Sequence, residues 1–217
     1  MCGIFGGVST VKMDENDIVK LAIAAQSRGQ DSSGIVYDEK NILKIVRMNR
    51  PVSKLLRSVR FSDSKIVAGH SRLITNGLHD NQPVFRDDIT VLHNGIIVNA
   101  DDIWEKISIK RDLEIDSEVI IGLALYFQKQ GVSLNDIPKK ILAECKGAAS
   151  VVLIYHKLGK ILLFSNTGSL YAGRKGGSDF FASEEFSLRQ INCSNIKQVT
   201  HEPVILGFEP LNKCTTV

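Results

Sequence analysis

The chain opens on Met1-Cys2-Gly3-Ile4-Phe5-Gly6-Gly7-Val8, a short apolar run. Its three glycines suit a strand whose backbone packs closely against its neighbours. Removal of Met1 would leave Cys2 at the N-terminus, with a thiol and an α-amino group on one residue. The ordinary pKa values of these two groups are about 8.5 and about 8, so the amine can act as a base for the thiol. Position alone still favours a simpler interpretation, a buried cysteine at the start of a strand.

The order of strand-like and helix-like segments predicts the fold class. An acidic segment, residues 14–17, favours the start of a helix, and apolar residues at helical spacing follow it. Strand patterns come next, then three helical segments, then strands again. This order, with hairpin-length turns between segments, predicts an α+β fold with mainly antiparallel sheets. The later strands are predicted at residues 34–37, 42–48, 65–70, 89–93, 149–155, 160–164, 170–172, 180–182, 196–199 and 204–208, and the three helices at residues 100–109, 117–129 and 133–145.

Composition and charge are those of an ordinary globular protein. With 217 residues, 43% of them hydrophobic and 24% charged, the chain can form one sizeable core. A net charge of +3 with both signs interspersed gives no footprint for nucleic acid. No apolar run approaches the roughly 18 residues of a membrane-spanning helix, and the N-terminus lacks a signal-peptide pattern. We therefore expect one cytoplasmic domain over residues 1–217, with no nucleic-acid or membrane partner.

The four cysteines, at positions 2, 145, 193 and 214, show no paired CxxC spacing. Such isolated cysteines indicate reduced thiols rather than disulfides or a zinc site. We expect neither a metal ion nor a cofactor.

Two polar segments supply candidate ligand-binding residues. One predicted strand ends in Gly69-His70-Ser71-Arg72-Leu73-Ile74-Thr75-Asn76-Gly77, which places Arg72 beside a polar loop. Its planar guanidinium suits a carboxylate, for instance the α-carboxylate of an amino acid. Another predicted strand ends in His93-Asn94-Gly95-Ile96-Ile97, which places the Asn94 amide beside the Gly95 N–H. Adjacent donors of this kind suit a developing oxyanion.

With these segments, the sequence resembles the class II glutamine amidotransferases. The glutaminase domain of that family is an N-terminal-nucleophile hydrolase. The resemblance implies a four-layer αββα sandwich of two mainly antiparallel sheets, and a glutaminase unit with no synthetase domain in this chain. The matching segments, in family order, are Met1-Cys2-Gly3-Ile4, Arg28-Gly29-Gln30-Asp31-Ser32-Ser33-Gly34, residues 69–77, Asn81-Gln82-Pro83, residues 93–99, Asp116-Ser117-Glu118-Val119, Gly168-Ser169-Leu170-Tyr171 and Phe181-Ala182-Ser183-Glu184.

The resemblance assigns the catalytic roles residue by residue. Cys2 would attack the side-chain carboxamide of glutamine, with its own α-amino group as the general base. The Asn94 side chain and the Gly95 backbone N–H would hold the tetrahedral oxyanion. Ammonia would leave, and water would hydrolyse the γ-glutamyl thioester to glutamate.

The resemblance also assigns substrate-binding roles. Arg72 would hold the α-carboxylate of glutamine, and Asp116 would pair with its α-ammonium group. Thr75 would be a hydrogen-bonding contact in the substrate loop, and Asn76 a weaker one.

Simpler structural interpretations exist for several residues. Asp116 could cap the helix expected to begin near Ser117, a frequent role for Asp. Arg28 is better interpreted as a structural contact near the nucleophile than as a substrate ligand. His70 and His93 are interpreted as hydrogen-bonded framework residues, because the α-amino group leaves no need for another base.

The acceptor of the ammonia would lie on a separate subunit or a missing domain. The segment 93–97 resembles the branch of the family that makes glucosamine 6-phosphate. The segments 28–34 and 81–83 resemble the branch that makes phosphoribosylamine. Leu73 and Asn76 depart from the sugar-aminating pattern, which usually has Trp and His at these points. We expect a sugar-related acceptor, as in amino-sugar biosynthesis.

Two other functions stay open from the sequence. One is an N-terminal-nucleophile amidase that acts on another γ-glutamyl-type amide. Arg72 with Asp116 argues against it, because together they match the zwitterion of a free amino acid. The other is a non-catalytic regulatory subunit, which would have no need for Cys2, Asn94 and Gly95 together.

Overall fold

The computed structural model describes residues 2–10, 13–73 and 81–216. The strands in these ranges are β1 Gly3–Ser9, β2 Ser32–Glu39, β3 Ile42–Met48, β4 Ile66–Arg72, β5 Val84–Arg86, β6 Ile89–Ile97, β7 Gly147–Tyr155, β8 Lys160–Ser165, β9 Tyr171–Lys175, β10 Ser178–Ala182, β11 Ser194–Gln198, β12 Val204–Gly207 and β13 Lys213–Thr216. The α helices are α1 Glu15–Gln26, α2 Val52–Leu55, α3 Ala100–Lys106, α4 Glu118–Lys129, α5 Ile137–Glu144 and α6 Glu185–Gln190. None of these helices is long and apolar enough to cross a membrane.

The described strands form two sheets. The first has eight strands in the order β11-β9-β10-β1-β4-β2-β3-β13, and the second has five in the order β12-β8-β7-β6-β5. The pair β3–β13 is parallel. The hairpins and the contacts of β1 with β4 and β10 are antiparallel. The predicted α+β fold with mainly antiparallel sheets is therefore confirmed.

Side-chain alternation along the strands separates the core into layers. Ile4 of the first sheet and Leu92 of the second are buried in the same cluster, so these two faces pack against each other. The next residue in the first sheet, Phe5, packs with α1. In the second sheet Val91 packs with α4. The order helices, sheet, sheet, helices confirms the predicted four-layer αββα sandwich.

The layer between the sheets is apolar over most of its area and polar at one end. Along β4 the inward-facing apolar residues give way to His70 and Arg72, which are both buried. In the second sheet Asn94, Ser150 and Ser165 lie directly opposite one another on adjacent strands. Buried polar side chains are costly unless they are hydrogen-bonded. The buried polar residues at this end therefore indicate a functional site.

Several bounds differ from those predicted. The helix expected at 133–145 begins at Ile137, because the Ser133 hydroxyl donates to Asp136 Oδ2 at 2.6 Å and holds a turn. Pro138 then occupies the first helical turn, where its fixed φ is favourable. The helix expected at 100–109 ends at Lys106. The elements α2, α6, β5 and β13 were not predicted, since each is too short to show a periodic pattern.

Leu163 lies in the layer between the sheets and is fully buried. Leu163→Ala is expected to lower the free energy of unfolding by about 2–5 kcal/mol, because it removes apolar contacts and leaves a cavity. Leu158→Ala is the matched control: Leu158 is 51% exposed, and its truncation should cost less than about 0.5 kcal/mol. Urea denaturation of both variants measures the difference. Equal losses would contradict the assigned layer.

Candidate active site

A cavity of about 490 Å³ opens at the polar end of the sandwich. It brings together the residue before β1, the middle of β6 and the segment after β8. Three of the predicted catalytic positions, Cys2, Asn94 and Gly95, line this one cavity although they come from distant parts of the sequence. The remaining lining residues are Leu73, Ile96, Val98, Gly147, Ala148, Thr167 and Ser169.

Cys2 is held from both sides. Its Sγ lies 3.6 Å from the Leu73 carbonyl oxygen, to which the thiol donates. The Arg28 Nε donates to the Cys2 carbonyl oxygen at 2.8 Å, and Arg28 Nη1 donates to Glu184 Oε1 at 2.5 Å. Arg28 is therefore a structural contact of the Cys2 backbone, as predicted.

The electrostatic surroundings of Cys2 act in opposite directions. Burial raises the pKa of the Cys2 thiol, while the charges of Arg72 and Arg28 oppose that rise. Because the net effect is upward, the thiol is largely protonated at neutral pH. A thiolate nucleophile would then require a nearby proton acceptor.

The other three cysteines are buried or half-buried and carry no disulfide. Burial raises the pKa of Cys145 to about 12, of Cys193 to about 11 and of Cys214 to about 12. These thiols are therefore protonated and unreactive at neutral pH.

Among the described residues, no three His, Cys, Asp or Glu side chains cluster as metal ligands would.

Asn94 and Gly95 do not lie at a strand end, so that prediction was wrong. β6 continues to Ile97, because β7 accompanies it along its whole length with Gly95 opposite Ala149. The Asn-Gly pair in this sequence is therefore part of a strand and not a turn.

Gly95 is required by its neighbours. Its φ is +150°, a value rarely adopted by residues with a side chain, and a Cβ there would lie 1.8 Å from the Ala148 carbonyl oxygen. The close approach of β7 thus leaves room for backbone alone at this position.

Two buried side chains replace a partner strand on the other edge of β6. β5 pairs with only the first three residues of β6. Further along, Gln82 Oε1 accepts from the His93 N–H at 2.6 Å, and Gln82 Nε2 donates to the His93 carbonyl at 2.9 Å. Asp116 Oδ2 accepts from the Ile97 N–H at 2.8 Å. Since alternate N–H groups of a strand point to one side, the Gly95 N–H is expected to point to this edge as well.

Of the predicted substrate-binding residues, Asp116 lies at this edge of β6. Asp116 is buried, and it does not cap α4: that helix begins at Glu118 with Ser117 as its N-cap and without a side-chain cap. The capping interpretation is therefore wrong. Arg72, the last residue of β4, is buried and its charge acts on the Cys2 thiol. Thr75 and Asn76 lie outside the described residues.

The two framework histidines differ. His93 Nδ1 lies 3.2 Å from Ser117 Oγ and Nε2 lies 3.3 Å from the Ala148 carbonyl oxygen, as predicted for a hydrogen-bonded residue. His70 meets the prediction only in part, because its buried ring makes a contact with the His93 backbone that falls short of normal hydrogen-bond geometry within the described residues. Burial, together with the charge of Arg72, lowers the pKa of His70 to about 3. His70 is thus neutral at physiological pH.

Sequence reasoning missed the hydroxyl groups beside the cavity. Ser150 Oγ lies 2.7 Å from Ser165 Oγ and 3.1 Å from Thr167 Oγ1, and Thr167 reaches the cavity wall. In β8 the polar Ser165 follows apolar residues that face the other sheet, and in β7 the polar Ser150 precedes apolar residues on the same face. That break in the pattern was the available signal.

The fold and the cavity define a class of protein. Two facing sheets between helical layers, with a cysteine at the start of the first strand, are the architecture of the N-terminal-nucleophile hydrolases. The structure of glutamine phosphoribosylpyrophosphate amidotransferase from B. subtilis has this fold, with a TM-score of 0.75 at 21% identity over 98% of this chain and 51% of that chain. Residues 70–190 match the glutamine amidotransferase domain family, and the chain belongs to that family. The predicted membership of a class II glutamine amidotransferase enzyme family is thereby confirmed.

Two curated relatives are similar to this chain over most of its length. Glutamine–fructose-6-phosphate aminotransferase (isomerizing) of Pectobacterium atrosepticum is 29% identical over 205 residues, covering 87% of this chain and 32% of the relative. The protein of that name from Legionella pneumophila strain Paris is 31% identical over 214 residues, covering 90% and 34%. The chain spans about a third of the length of these relatives.

Gly95→Ala is expected to lower the free energy of unfolding by roughly 2–5 kcal/mol, since it adds a clash with Ala148 to backbone strain. Gly176→Ala is the matched control, because Gly176 also has a positive φ of +58° but has no atom within 4 Å of an added Cβ. That control should show only the strain of about 1–2 kcal/mol. Urea denaturation measures both. A Gly95→Ala chain no less stable than the control would contradict the close packing of β6 on β7.

Proposed function

We propose that this chain hydrolyses L-glutamine to glutamate and ammonia through a γ-glutamyl thioester on Cys2. One observation carries the proposal: the Cys2 thiol, the Asn94 side chain and the Gly95 backbone line a single cavity. Family membership supports the same reaction. The working form is the chain with Met1 removed, because the chemistry uses a free α-amino group on Cys2.

The first half-reaction forms the thioester. The α-amino group of Cys2 takes the thiol proton, and Sγ attacks the side-chain carboxamide carbon of glutamine. Asn94 Nδ2 and the Gly95 N–H stabilise the oxyanion, and one such donor is worth about 2.7–4 kcal/mol of barrier. The tetrahedral intermediate collapses with cleavage of the C–N bond. The proton held by the α-amino group goes to the leaving nitrogen, which departs as ammonia.

The second half-reaction consumes one water molecule. The same α-amino group takes a proton from water, and the hydroxide attacks the thioester carbonyl. The oxyanion again lies on Asn94 and Gly95. Cleavage of the C–S bond returns the proton to the Cys2 sulfur and releases glutamate.

Recognition of a free amino acid is assigned to the charges beside β6. Arg72 binds the α-carboxylate of glutamine and Asp116 binds its α-ammonium group. Thr75 donates or accepts a hydrogen bond in the substrate loop, and Asn76 makes a weaker contact there. Asp116 is already oriented by the Ile97 N–H, which donates to its Oδ2, and this supports its role.

The ammonia passes to a sugar-related acceptor on a separate subunit or a further domain. The names of the curated relatives support this proposal, because they specify fructose 6-phosphate as the acceptor of those enzymes. The matching structure is named for phosphoribosylpyrophosphate, which also carries a sugar.

We propose that residues 1–217 form one glutaminase domain and that it acts in the cytoplasm.

Cys2→Ala is expected to lower the rate of glutamate release by at least about 10³-fold, because it removes the nucleophile. The assay uses chain whose loss of Met1 has been verified by intact mass. Cys193→Ala is the control, since this half-buried thiol lies outside the cavity, and it should keep the parent rate. Glutamate release by Cys2→Ala at the parent rate would exclude Cys2 as the nucleophile.

The Asp116→Asn variant tests whether the chain recognises the α-ammonium group of glutamine, which other γ-glutamyl-type amides need not carry. The variant keeps an acceptor for the Ile97 N–H but loses the negative charge, so the KM for glutamine should rise by roughly 10- to 100-fold. Glutaramate, which is glutamine without its α-amino group, is the control substrate. Its hydrolysis should be equal in parent and variant. An unchanged KM for glutamine would instead favour an amidase that does not read the α-ammonium group.

A further inference from the structure

We propose that Gln82 is a positioning residue for glutamine hydrolysis, which fixes the part of β6 that carries Asn94 and Gly95. This inference rests on the proposed function. Gln82 does not line the cavity, and it acts through the backbone of His93.

The side chain of Gln82 substitutes for a strand at the edge of β6. It is 4% exposed, and its amide makes both hydrogen bonds that a neighbouring strand would make to His93. The same Nε2 also donates to Ser117 Oγ at 3.1 Å, and that hydroxyl lies 3.2 Å from His93 Nδ1. The backbone and the ring of the residue before Asn94 are thus held by one amide and one hydroxyl.

The backbone of Gln82 is tied to the first sheet. Its N–H donates to Asn81 Oδ1 at 2.8 Å, and Asn81 Nδ2 donates to the Ser33 carbonyl of β2 at 3.1 Å. A Cβ on Gly34 would lie 2.0 Å from the Gln82 carbonyl oxygen, so the segment lies directly on β2. Cys2 precedes β1 of that same sheet. Gln82 therefore links the sheet of the nucleophile to the strand of the oxyanion donors.

This link bears on the rate because oxyanion donors act only at short range. A displacement of about 1 Å in a reacting group can cost about 100-fold in rate. Loss of the Gln82 amide would leave the His93 N–H and carbonyl without their partners, so β6 would shift to satisfy them. The contact of Asp116 with Ile97 would still hold the far side of Gly95. Substrate binding should therefore survive better than catalysis.

Gln82→Ala in the Met1-cleaved chain is expected to lower kcat for glutamine roughly 10- to 100-fold, with KM within about twofold of the parent. The control is Gln26→Ala, because the Gln26 Oε1 also accepts a backbone N–H at 2.9 Å, that of Ser53 in α2 and not one of β6. Gln26→Ala should keep the parent kcat even if its melting temperature falls. A Gln82→Ala chain with the parent kcat would overturn the inference.

Gln82→Glu gives a second readout, which also serves if the alanine variant does not fold. A protonated carboxyl can accept from the His93 N–H and donate to its carbonyl, whereas a carboxylate cannot donate. The ratio of variant to parent kcat should therefore rise as the pH falls. Burial raises the pKa of the introduced carboxyl, so this rise should occur closer to neutral pH. A ratio independent of pH would contradict the positioning role. If the parent itself released no glutamate, the proposed function would fail and the inference with it.

Discussion

The edge of β6 is the constraint on which the site depends. Buried backbone N–H and carbonyl groups must be hydrogen-bonded, and β5 satisfies only the first residues of this edge. Gln82 and Asp116 satisfy the groups of His93 and Ile97. Between them, the Gly95 N–H is expected to point to the same edge. The proposed oxyanion donors Asn94 and Gly95 therefore lie on a strand edge that is held at two points by buried side chains.

The facing sheets explain why this edge lies near Cys2. Apolar inward-facing residues hold the sheets together along most of their length, and the polar residues collect at one end. There the start of β1 and the middle of β6 border one cavity. Asn94 pairs with Ser150, and Ser150 pairs with Ser165, so the polar row continues across the second sheet. The core therefore orients the site, while the site itself adds little apolar contact to the core.

Sequence patterns predicted the fold well where the information was local. Alternation and helical spacing indicated most strands and helices, and the family motifs indicated Cys2, Asn94 and Gly95, which the structure brings together. The continuation of β6 was missed, because Asn-Gly is common in turns and its strand conformation depends on β7. The parallel pairing of β13 with β3 joins distant segments and has no local signal.

Side-chain contacts over long sequence distances were also beyond prediction. Gln82 stood out only as part of a motif, since its bonds to His93 exist only once both sheets have formed. Asp116 had two interpretations because a helix follows it, and the contact with Ile97 decides against the cap. His70 was expected to be hydrogen-bonded, as buried polar groups usually are, and within the described residues its ring makes only a contact with the His93 backbone that falls short of normal geometry.

The central claim is covalent chemistry at Cys2. The most direct measurement mixes the Met1-cleaved chain with glutamine, stops the reaction in acid within milliseconds, and maps the adduct by peptide mass spectrometry. The account predicts a γ-glutamyl group on the Cys2 thiol, with the mass of glutamine less ammonia, which forms and decays as glutamate appears. Release of glutamate with the acyl group on another residue would contradict it.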